Sequence, residues 1–145
     1  MKTLFAALIL AVAAATVQAA ETNATPVSPS VAKDSRCFEM RTYYAAPGKL
    51  EALNARFRDH TCRLFKKHGI EIVGFWIPTD KEQGAENKLV YILAHKSREG
   101  AKQSFANFGK DPEWQKAHAE SEANGKLVEK IESVFMSATD YSPIK

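Results

Sequence analysis

The chain has 145 residues, 45% of them hydrophobic and 26% charged, which leaves room for one globular domain and no second core. Its formal charge of +3 comes from 20 basic and 17 acidic side chains. These are interleaved along the chain, with no basic block of the kind that tracks a phosphate backbone, so nucleic acid is not an expected partner.

Residues 1–19, MKTLFAALILAVAAATVQA, carry one Lys near the start, an apolar run from Leu4 to Val17 and small residues at Val17 and Ala19. That is the pattern of a secretory signal peptide cleaved after Ala19. The run is Ala-rich and shorter than the ~20 residues that span a bilayer, so no stable membrane anchor is expected. The reading is an exported protein, periplasmic or extracellular. Residues 20–35 lack apolar periodicity and are rich in Thr, Ser, Pro and Ala, as in a flexible leader. The domain then runs over 36–145.

CFEMRTYY at 37–44 alternates Phe38 and Met40 with Glu39 and Arg41, the period of a strand with two different faces. Pro47-Gly48 ends it. A helix over about 49–67 places Leu50, Leu53, Phe57, Thr61 and Leu64 on one face. Lys66, Lys67 and His68 complement its dipole, and Gly69 suits the left-handed position beyond its end. A second strand follows at 70–77 and, after a polar loop, a third at 88–95. Ser97 is an N-cap for a helix with Ala101, Phe105 and Phe108 inward, and Asp111-Pro112-Glu113 starts another. A fourth strand spans about 128–138.

The order βαββαβ, with the second helix broken, predicts an α+β, ferredoxin-like fold with a four-stranded antiparallel sheet. Strands two and three are apolar on both faces. Ile70, Ile72 and Trp76 oppose Val73, Phe75 and Ile77; Leu89, Tyr91 and Leu93 oppose Val90, Ile92 and Ala94. Helices cover one face, and a second copy of the chain is the simplest cover for the other, predicting a homodimer packed through the sheet face.

FEMRTY at 38–43, Pro47-Gly48, His60, KKHGIEIVGFW at 66–76, NKLVYIL at 87–93 and DPEW at 111–114 together resemble the NIPSNAP family over about the whole domain. The resemblance implies a dimeric α/β barrel, two ferredoxin-like subunits with joined sheets. That superfamily includes small cofactor-free monooxygenases, isomerases and haem-handling enzymes. The third strand departs from the family's more aromatic run at Tyr91, Leu93 and His95, so a substrate is not carried over.

Several residues could carry chemistry. Glu39, Arg41 and Tyr43 share one face of the first strand, either as an ion-pair network or as polar anchors for an anionic ligand. His60, among Leu53, Phe57 and Leu64, needs a buried polar partner or a cavity, and is read with Arg41 and Tyr43 as a catalytic candidate. Trp76, Tyr91 and His95 join Glu39 as candidate ligand contacts, or serve as packing. His60 and His68 are ~12 Å apart along a helix, too far to share a metal, and no metal or cofactor is expected. His68 reads as a helix-end residue. Cys37 and Cys62 can form a disulfide in an oxidising compartment if their β-carbons approach to ~4 Å. Two functions remain open: a small-molecule-binding barrel, with cofactor-independent oxidase, monooxygenase or isomerase chemistry, or a noncatalytic binding or protein-interaction module.

Overall fold

The computed structural model describes residues 27–145. The signal peptide expected over 1–19 lies outside the described residues. Strands β1 (Cys37–Ala45), β2 (Glu71–Trp76), β3 (Lys88–His95) and β4 (Val128–Ser137) form one antiparallel sheet in the order β2-β3-β1-β4. Between β1 and β2 lie α1 (Leu50–Arg56), a π-helical turn (Phe57–Thr61) and α2 (Cys62–Lys67); between β3 and β4 lie α3 (Arg98–Lys110) and α4 (Pro112–Ser121). This is the expected α+β, βαββαβ arrangement.

The helices cover the face that carries Glu39, Arg41 and Tyr43. Arg41 lies opposite Tyr91 on β3 and Ser133 on β4, and Tyr43 lies opposite Leu89 and Ile131. Leu53, Leu64, Phe65, Tyr91 and Leu93 are almost wholly buried between helices and sheet. Phe57 is the hub: its ring centroid is 5.7 Å from Tyr43, 5.4 Å from Phe75 and 5.3 Å from Tyr91, within the range of favourable aromatic pairs. Cover thins toward the β4 edge, where Ile131 stays 47% exposed.

The helix ends follow their sequence signals. Gly69, at φ +70°, donates to the Lys66 carbonyl, and Ile70 N–H reaches back to Phe65, the paired bonds of a Schellman motif. Ser97 Oγ accepts from Gly100 N–H at 3.0 Å, and Asp111 Oδ1 accepts from Glu113 N–H at 2.9 Å. Asp111 Oδ2 also meets Lys67 Nζ and His68 Nε2, both at 2.7 Å. His68 therefore ties the end of α2 to the start of α4.

The expected alternation of the second strand needs correction. Within β2 the register slips between Ile72 and Gly74: Ile72 faces Leu93, Gly74 faces Ile92, Phe75 faces Tyr91 and Trp76 faces Val90. An extra residue reverses the alternation beyond it, so Ile72 and Phe75 share the helix side while Trp76 turns to the other. Trp76 lies across Gly74, where an added β-carbon would meet the indole at 2.8 Å. In the described part of the leader, Val31 bridges Thr139, Ala32 N–H donates to the Ala138 carbonyl at 2.9 Å and Asp140 N–H donates to the Ser30 carbonyl at 2.8 Å.

The face away from the helices presents Met40, Val90, Ile92, Val134 and Trp76, with Val134 and Trp76 each half exposed. Phe65→Ala should cost about 3–5 kcal/mol through the cavity it opens. Gly69→Ala should cost roughly 1–2 kcal/mol by forcing a side chain into the left-handed region. Urea denaturation of each variant checks both values.

Candidate functional site

A cleft of about 480 Å³ opens between the helices and the β1–β4 side of the sheet, a volume in the range of small-molecule sites. Phe57, Phe65, Phe105, Phe108 and Trp114 form its apolar walls. Arg41 and Arg56 bring guanidinium groups into it.

The π-helical turn is what lets one helix contribute so much to the cleft. Cys62 N–H donates to the Phe57 carbonyl five residues back, and Thr61 Oγ1 donates to the Arg56 carbonyl at 3.2 Å. With i→i+5 closure an extra residue is absorbed, so Arg56, Phe57, Thr61 and Phe65 all line the same space. Arg56 is 5% exposed, lies over the Trp114 ring at 5.4 Å, and donates through Nη1 to Glu122 Oε1 at 3.2 Å.

Arg41 is held from the opposite wall. Its Nη1 donates to Glu39 Oε1 at 2.6 Å, and its guanidinium lies 4.8 Å from the Phe105 ring centroid. Glu39 is only 2% exposed and is met by two further partners, Ser133 Oγ at 2.6 Å and His95 Nε2 at 3.2 Å. Burial opposes ionisation of Glu39, but hydrogen bonds from His95 and Ser133 and the charge of Arg41 outweigh it and hold its pKa at about 2. Burial alone would lower the pKa of Arg41; the Tyr91 and Tyr43 phenols and the Glu39 carboxylate raise it instead. Tyr91, with its OH buried and unpaired, is pushed well up by burial.

The NIPSNAP family model matches residues 38–143, all but the first residue of the sheet and helix layer just described. The chain belongs to the NIPSNAP family. A NIPSNAP family protein of unknown function from Agrobacterium tumefaciens str. C58 superposes with TM-score 0.68 at 24% identity, over 79% of this chain and 98% of that one. A NIPSNAP-like domain protein from Burkholderia xenovorans superposes with TM-score 0.63 at 17% identity, over 74% of this chain and 88% of that one. No curated protein matches the sequence.

In this NIPSNAP domain the candidate residues divide into three groups. Glu39, Arg41, Tyr43, Tyr91 and His95 come together on the helix side of the sheet; among them Arg41 and Tyr43 line the cleft, while Glu39 and His95 stand behind Arg41. Trp76 is separated from them by the sheet, because the bulge reverses its side. His60 does not face the sheet either. It is half-buried toward α4 beside Ala117, Glu120 and Ser121, because the wider π turn rotates it off the stripe of Phe57 and Thr61.

Cys37 and Cys62 are free thiols. Cys37 pairs with His95 at one end of β3, whereas Cys62 shares a groove with Leu89 near the other. His95 and Leu89 are six positions apart, which spans about 20 Å of strand, far beyond disulfide reach.

Arg56, Trp114 and Ser133 were not singled out from the sequence as site residues. Arg56 did carry a signal: it follows Leu53 by three and precedes Phe57 by one, so a cation sits on the apolar stripe. Ser133 carried none, because its role depends on cross-strand register with Arg41.

A carboxylate depressed from 4.5 to about 2 contributes stability that is fully present above pH 4.5 and is lost as pH falls toward 2. Glu39→Gln should therefore be less stable than the parent at pH 6. It should also show a shallower decline between pH 4.5 and 2, with the two curves converging at the acid end. Thermal melts across that window measure the difference.

Proposed function

We propose that this NIPSNAP protein is exported and binds a small molecule in the cleft between its helices and sheet, acting as a dimer joined through the outer sheet face. The cleft itself carries the reading, because it combines aromatic walls with two guanidinium groups in a space of about 480 Å³. A filled interior, as a pure interaction module would have, offers no such space. The apolar segment from Leu4 to Val17 supports export. The half-exposed Trp76 and Val134, on an outer face that also presents Met40, Val90 and Ile92, support self-association.

Binding stands ahead of catalysis. Glu39 is committed to three partners and held at about pKa 2, which makes it a poor general base near neutral pH. Tyr91 is held protonated by burial. Cofactor-free oxidase, monooxygenase or isomerase chemistry would thus rely on positioning and on a reactive ligand more than on a side-chain base.

Native mass spectrometry of the mature protein from an exporting host should show a dimer carrying a reproducible extra mass. Ile131→Trp, which crowds the mouth of the cleft, should remove that mass and leave the dimer. A second expected outcome concerns the outer face: Val134→Lys should give monomers by light scattering. A parent protein that is monomeric at micromolar concentration and never carries or takes up a small molecule would overturn the reading.

A further inference from the structure

The two arginines of the cleft share an arrangement that their ion pairs do not explain. Each uses only Nη1 for its carboxylate partner, Arg41 with Glu39 and Arg56 with Glu122. Each keeps a buried Nε–H with no acceptor among the described residues, and no partner meets either Nη2. Nε and Nη2 form the edge of a guanidinium that presents two parallel N–H groups, the geometry that grips a carboxylate in bidentate fashion. Unpaired buried donors carry a standing desolvation cost, which a matching acceptor would remove.

We propose that the ligand is an aromatic carboxylate, its acid group held by the Nε–Nη2 edges of Arg41 and Arg56 and its ring system by the aromatic walls; this rests on the small-molecule reading above. The walls argue for a ring. Arg41 stacks on Phe105 at 4.8 Å and Arg56 on Trp114 at 5.4 Å, while Phe108 and Trp114 pack with centroids 4.4 Å apart. Flat surfaces therefore flank both acid-binding edges, and a flat ligand body extends them.

Glu39 and Glu122 then act as positioning residues. Each pins Nη1 of its arginine and leaves the other edge turned to the ligand, so the grip is set before the ligand arrives.

The test uses the mature chain carrying Trp76→Phe, which leaves Trp114 as the only one of the two tryptophans. Fluorescence titration is run with 2-naphthoate, with 2-naphthalenemethanol as its neutral counterpart and with 2-naphthylmethylamine as a cation. The expected result is that naphthoate binds at least about tenfold tighter than the alcohol, with the amine weakest, as a charge-assisted pair predicts. Arg41→Lys and Arg56→Lys keep the charge but lose the fork, and each should reduce naphthoate affinity by a larger factor than it reduces that of the alcohol. Equal binding of the acid and the alcohol, unaffected by either lysine, overturns the carboxylate assignment and leaves the cleft as an apolar binding site. Absence of binding by all three probes, with no Trp114 response, overturns the cleft reading and this proposal together. If a lysine variant fails to fold by circular dichroism, the acid-to-alcohol-to-amine order in the parent decides.

Discussion

A buried carboxylate at the centre of the sheet organises much of what surrounds it. Glu39 lies on the helix side of a middle strand, and its three partners come from three strands: Arg41 from β1 itself, His95 from β3 and Ser133 from β4. A charge in that place is tolerated only while its partners stay in reach; removing Arg41 leaves an uncompensated ion inside the protein. The same bonds lock the side-chain alternation of the sheet, because a shift of one residue would carry Glu39 to the opposite face. Arg41, fixed by Glu39, in turn sets where Phe105 and the start of the cleft can lie.

The second wall of the cleft depends on helix geometry. A regular α-helix through 50–67 would bury a narrow apolar stripe and little else. The π turn widens that stripe enough for Arg56 to lie beside Phe57 and Thr61. The cluster of Tyr43, Phe57, Phe65, Phe75 and Tyr91 then supplies a stiff floor, so the polar groups above it are held by packing on one side and by ion pairs on the other. Specific binding needs both, since a guanidinium that is free to swing loses much of its advantage on meeting an anion.

Much of this was legible in the chain itself, where local rules operate. The alternation in 37–44 placed Glu39, Arg41 and Tyr43 on one face, and the helical spacing of Leu50, Leu53, Phe57, Thr61 and Leu64 named five buried residues. The N-caps at Ser97 and Asp111 and the turn at Gly69 follow from the same short-range logic. What misled were the two places where an extra residue breaks a period. The bulge after Ile72 moved Trp76 across the sheet, and the π turn moved His60 off the inner stripe. Neither leaves a mark in composition, because a bulge is decided by the partner strand and a π turn by what the helix packs against. The cysteines illustrate the same limit: their separation is a fact of tertiary structure.

The π turn also bears on how such a site could arise and vanish. It takes up one residue beyond what an α-helix of the same length would hold, and the helix on either side keeps its phase: Leu53 before it and Leu64 after it both remain in the core. Loss of a single codon within that turn would let the backbone relax to a plain helix with both ends still seated. Gain of one could rebuild the widened stripe. One insertion or deletion in that turn would therefore change the width of the cleft while leaving the packing of the scaffold on either side almost untouched.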